Sequence, residues 1–92
     1  NYDDLPKPFE YEKKILTEIE NISQEYSKFK KEGNITISFN ILKDALEMYP
    51  DSEKLNNLMG GYYYDRNSFE EAEKYYNKAY DLNPRNPSYE SN

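Results

Sequence analysis

Three features of this sequence predict an all-α fold: apolar residues three and four apart, a 34-residue internal offset, and Gly, Asn and Pro at the joints. The predicted architecture is antiparallel helix pairs stacked as a short α-solenoid, about four helices in all, the first of them long. A lead-in over residues 1–7 reads as disordered. The helical domain is expected over 8–84, and residues 87–92 as a tail or the start of a truncated further helix.

The internal offset carries most of the weight. Shifting the chain by 34 residues aligns Phe29 with Tyr63, Gly33 with Asn67, Ile35 with Phe69 and Leu42 with Tyr76. The same shift aligns Ala45 with Ala79, Met48 with Leu82 and Pro50 with Pro84. An irregular unit therefore occupies about 19–52 and a regular one about 53–86.

Each unit reads as two helices. In the first, Ile15, Ile19, Ile22, Tyr26 and Phe29 fall on one helical face, in a helix that starts soon after Pro8 and runs to Glu32. Gly33 can take the left-handed conformation that ends a helix, and Asn34 can cap the next. The second helix carries Ile35, Ser38, Leu42, Ala45, Leu46 and Tyr49 inward until Pro50 stops it. Its opening, Ile35-Thr36-Ile37-Ser38-Phe39, alternates like a β-strand when read alone. Alignment with the helical pattern at 69–82 overrides that reading.

The third helix, over roughly 53–65, is capped by Asp51 or Ser52 and turns Leu55, Leu58, Met59, Tyr62 and Tyr63 inward. Asn67 suits the following turn, and Ser68-Phe69-Glu70-Glu71 has the form of a capping box. The fourth helix buries Phe69, Ala72, Tyr76, Ala79 and Tyr80 and ends near Asn83-Pro84.

Composition narrows the function. With 92 residues the chain is one domain or a piece of a larger polypeptide, and the lack of an initiating Met favours a processed or excised piece. Its net charge of -6 disfavours nucleic acid and anionic membrane surfaces, and it has no apolar run long enough to cross a bilayer. Without His or Cys it lacks imidazole bases, thiolate nucleophiles and the usual zinc and haem ligands. No phosphate loop or nucleophile elbow is present, and Glu70-Glu71-Glu73 sits where negative charge simply suits a helix dipole. No enzyme activity, cofactor or metal is therefore expected. Seven Leu, six Ile, four Phe and no Val make a thin apolar content, which eleven Tyr supplement with rings whose hydroxyls need water or a partner.

The second unit resembles the tetratricopeptide repeat, a helix–turn–helix unit of 34 residues. Met59-Gly60-x2-Tyr63 matches its Leu-Gly-x2-Tyr segment, Ala72-x3-Tyr76 its Ala-x3-Phe segment, and Ala79 and Pro84 its later small residue and proline. Asn56 stands in the Trp slot. In the first unit Phe29, Ser38, Leu42, Ala45 and Pro50 fit, whereas Glu25 and Tyr26 occupy the Leu-Gly slots. The resemblance covers 19–84.

What the resemblance implies is a curved array with a concave groove that binds a peptide or partner protein. By register the groove candidates are Ser23, Ser27, Lys30, Lys54, Asn57, Gly61 and Tyr64, residues that would equally make an ordinary solvated face. The family's carboxylate clamp is not expected, because Ser27 and Leu58 hold slots that need Asn and a third unit is missing. The tyrosines at 62–64, 75, 76 and 80 could stack bases, but residues 51–84 carry four basic against seven acidic residues.

The fourth helix has no successor, so a docking face of Phe69, Tyr76, Ala79 and Tyr80 is expected to be partly bare. A missing unit, a partner or a second copy in a homodimer would cover it. The expected role is a scaffold or adaptor module for protein–protein interaction, in the cytoplasm. The alternative is a regulatory or sensor segment of a larger protein, such as a peptide-responsive transcriptional regulator or an enzyme's appendage.

Overall fold

A computed structural model describes residues 8–86, so the expected lead-in and tail lie outside the described residues. The described residues form four helices and no strand: α1 (Pro8–Lys31), α2 (Ile35–Met48), α3 (Glu53–Asp65) and α4 (Phe69–Leu82).

Helix α1 opens on Pro8, whose missing N–H is no loss in a first turn, and ends with Lys28, Lys30 and Lys31 at the negative end of its dipole. Gly33 then takes a φ of 79°, in the left-handed region. Asn34 N donates to Phe29 O at 2.9 Å and Gly33 N to Lys30 O at 3.0 Å, the paired bonds of a Schellman ending.

The strand-like opening of α2 is helical. A strand would put Ile35, Ile37 and Phe39 on one face, yet Ile37 is exposed while Ile35, Ser38, Phe39 and Leu42 turn inward. The Ser38 hydroxyl donates to Ile35 O at 2.8 Å and so enters the core satisfied.

Of the two possible caps for α3, Ser52 is the one used, accepting from Leu55 N at 3.2 Å. The capping box at α4 does not form: Ser68 precedes the helix with no side-chain cap bond, and Asn34 likewise makes none at α2. The N–H that Glu71 would reach in a capping box is already spent on the Schellman bond from Ser68 to Tyr63 O, and the Asn34 and Ser68 carbonyls accept from Ser38 N and Ala72 N.

The backbone repeats itself 34 residues on. Asn67 has a φ of 64°, Ser68 N donates to Tyr63 O at 2.9 Å and Asn67 N to Tyr64 O at 3.0 Å, matching the turn at Gly33. Tyr49 N to Ala45 O and Ser52 N to Tyr49 O have their counterparts in Asn83 N to Ala79 O and Asn86 N to Asn83 O.

Helix α4 runs antiparallel to α3. Tyr64 meets Phe69, Tyr63 stacks on Tyr75, Gly60 lies under Tyr76, and Glu53 accepts from Asn83 and Asn86. Helix α1 pairs with α2, and α3 packs between the pairs against both. Side by side, α1 and α3 run in the same direction, with Glu20 beside Lys54 and Lys30 beside Asp65. Ile19, Tyr26, Leu42, Ala45, Leu55 and Met59 form the core.

Candidate functional site

Two surfaces were expected to bind, and the structure treats them differently. On the α1–α3 face, Lys54 Nζ donates to the Glu20 carboxylate at 2.6 Å and Lys30 Nζ lies 3.2 Å from Asp65. Hydrogen bonding to Lys54, reinforced by its charge, holds the Glu20 carboxyl below its usual pKa. Both cations of the groove set are thus engaged inside the chain.

Ser23 is a correction. At 8 % exposure it is buried rather than lining a groove, because it stands between Ile19 and Tyr26 at four- and three-residue spacing on the inward face of α1. Ser27 is exposed, beside a shallow polar cleft of about 540 Å³ shared with Gln24, Lys28 and Lys31. Asn57 and Gly61 are half-buried.

The second surface lies where α3 turns into α4. The Tyr76 ring lies against Gly60, so close that a Cβ there would sit 2.7 Å from two ring carbons. Its hydroxyl reaches Gly61, where a Cβ would be 3.6 Å away. Burial raises the pKa of that hydroxyl, with the Asp65 charge adding to the effect. Tyr64, 57 % exposed, meets Phe69, 55 % exposed, edge-on with ring centroids 5.4 Å apart. Residues from the two expected sets, Gly61 and Tyr64 from one and Phe69 and Tyr76 from the other, therefore meet at one aromatic surface.

Ala79 does not belong to that surface. It is fully buried, at 0 % exposure, as is its neighbour one heptad earlier, Ala72, at 2 %. The stripe of small residues that would admit a next helix is instead the stripe on which α4 lies against α3. Phe69 and Tyr80 are exposed beside it, and Tyr76, between Ala72 and Ala79 at four- and three-residue spacing, is half on the stripe, its ring against Gly60 and its outer side bare.

Asn56, which departs from the Trp of the resembled pattern, has a structural role of its own. Buried at 1 % exposure, it donates through Nδ2 to Pro50 O at 3.1 Å and to Ser52 O at 2.7 Å, and so holds the turn from α2 into α3. The sequence signal was an Asn between Leu55 and Met59 on an inward stripe, where an amide survives only with partners at hand.

A more apolar cleft, of about 550 Å³, opens between the first half of α1 and the α2–α3 turn, lined by Ile15, Leu16, Ile19, Tyr49 and Pro50. At its edge the Tyr49 hydroxyl donates to Glu18, which raises the Tyr49 pKa. Among the described residues no group of three or more acidic, His or Cys side chains is placed to hold a metal ion, and no helix is long and apolar enough to cross a membrane.

Comparison of the chain with protein-family models, with curated proteins and with solved structures finds no match.

Proposed function

We propose that this chain is a protein-interaction module built as a short tetratricopeptide-like solenoid, without catalytic activity, and that its principal docking surface is the aromatic face of α4. The single observation that carries the reading is the exposed Tyr64–Phe69–Tyr76 surface beside a helix that packs chiefly on one neighbour. Large aromatics bared at the end of a helical stack are the side chains that anchor protein interfaces. The recurrence of turn hydrogen bonds 34 residues apart supports the solenoid part of the proposal. The engagement of Lys30 and Lys54 in ion pairs makes the α1–α3 face the weaker candidate.

Photo-crosslinking in the source cells tests this. A benzophenone side chain at position 69 is expected to give a discrete adduct with a partner protein, and one at position 27 none. Adducts from position 27 alone would return the site to the α1–α3 groove.

A further inference from the structure

The α4 face can be compared, residue for residue, with the face of α2 that already carries a helix. On α2, Phe39 sits 5.0 Å from the Tyr62 ring and 6.4 Å from the Tyr63 ring of α3, measured between centroids. Around it Leu42 is fully buried, Leu46 packs on the core, and Ile35 shares a cleft with Tyr62 and Asp65. Thirty-four residues on, Ile35, Leu42 and Leu46 become Phe69, Tyr76 and Tyr80, so the apolar frame of a helix seat is kept. The central position is not kept: Phe39 becomes Glu73.

Glu73 is exposed and has no cation within ion-pair distance among the described residues. Its neighbour Lys74 lies 3.7 Å from Glu71, and Lys78 lies 3.5 Å from Asp51. A helix seated on α4 as α3 is seated on α2 would bring its counterpart of Tyr62 against this carboxylate. A tyrosine or aliphatic side chain there would bury the charge unpaired, whereas Lys or Arg would neutralise it.

From this we infer that the partner is an amphipathic helix with apolar anchors at the registers of Leu55, Leu58 and Met59, and a Lys or Arg at the register of Tyr62. The inference rests on α4 being the docking face. A second copy of the chain does not supply such a helix. The only basic residue preceded by three apolar ones at this spacing is Arg66, and its Met59, Tyr62 and Tyr63 already pack within the fold. The acidic net charge of -6 would also set like charge against like in a self-contact.

The test uses synthetic copies of residues 51–66, stapled into helices on the face opposite Leu58 and carrying Tyr62→Lys or Tyr62→Glu. Their affinities are measured by fluorescence anisotropy against the full 92-residue chain and its Glu73→Lys variant. The Lys peptide is expected to bind about fivefold more tightly than the Glu peptide, the upper end for a partly exposed ion pair, with the preference reversed on Glu73→Lys and weakened by salt. Equal binding of the two peptides, lost in a Tyr64→Ser/Phe69→Ser chain that keeps its helical circular dichroism, would overturn the basic helix and leave the docking face standing. Absence of binding by both peptides, or binding unchanged by Tyr64→Ser/Phe69→Ser, would overturn the docking face and the inference with it.

Discussion

Lys54 Nζ donates to the Glu20 carboxylate at 2.6 Å across a separation of 34 residues, so one exposed ion pair spans one period of the chain. With Lys30 and Asp65 at 3.2 Å near the other end, it pins α1 to α3 at two points. The Glu20 carboxyl is held low by that bond, so its contribution to stability is present above the carboxyl pKa of the unfolded chain and is lost as pH falls through the folded value. Lys54→Met is expected to move the Glu20 midpoint up toward its usual value, read by carboxyl NMR titration, and to remove that part of the acid dependence.

The alkaline limb has the opposite sign. Burial raises the pKa of Tyr26, Tyr63 and Tyr76, and the bond to Glu18 raises that of Tyr49. Their neutral forms stabilise the fold fully below the unfolded tyrosine value of about 10, and that stabilisation is lost as pH rises through the raised folded values. Absorbance at 295 nm should therefore show a late-titrating set of phenols whose ionisation coincides with loss of helical circular dichroism. Tyr49→Phe is expected to remove one phenol from that set.

Adjacent glycines should answer differently to the same substitution. Gly60→Ala places a Cβ 2.7 Å from the Tyr76 ring, and because the nearest atoms include Cγ at 3.1 Å the whole ring must move. Gly61→Ala meets only the hydroxyl at 3.6 Å, an ordinary contact. Both gain about 1 kcal/mol of helix propensity. Gly61→Ala should keep most of it and raise the melting temperature, whereas Gly60→Ala should lose it to about 1–3 kcal/mol of overpacking and lower it.

Asn56→Leu should destabilise despite similar volume and greater apolarity. It takes the Nδ2 donor from Pro50 O and one of two donors from Ser52 O, which keeps the Asn56 backbone N–H, at about 1–3 kcal/mol by urea denaturation.

Ala79→Glu should unfold the α3–α4 pair rather than block docking. A carboxylate forced into a site with no exposure and no cation costs about 3–5 kcal/mol, a large part of the stability of a domain this small. Phe69→Ser, at a half-exposed position, gives up only the edge-on contact with Tyr64 and should cost about 1 kcal/mol. Thermal melts of the two variants check both statements.

Helix positions were legible because Pro, Gly and Asn mark every joint and the stripes between them have helical spacing. The third and fourth helices are observed over the predicted 53–65 and 69–82, and the strand-like run at 35–39 is overruled as expected. Side-chain roles were less legible. Periodicity places Ser23 and Ala79 on a helix without saying which neighbour lies over them, and both are covered. The return half of the capping box at Ser68, Glu71 accepting from its N–H, is pre-empted because Tyr63 O already holds that N–H, a competition that local sequence does not display. The ion pairing of Lys30 and Lys54 depends on how α1 and α3 lie together, which a one-dimensional pattern leaves open.

The contact of Phe39 with Tyr62 and Tyr63 sits on the seam between two helical hairpins. Cooperativity in such a chain is a property of the seam more than of the hairpins, since coupling between neighbouring units is what makes an array melt as one. Trimming Phe39 to Ala would loosen that coupling while leaving each hairpin's own packing in place. The far-ultraviolet melt and the tyrosine near-ultraviolet melt are expected to coincide in the parent chain and to separate into two steps in this variant.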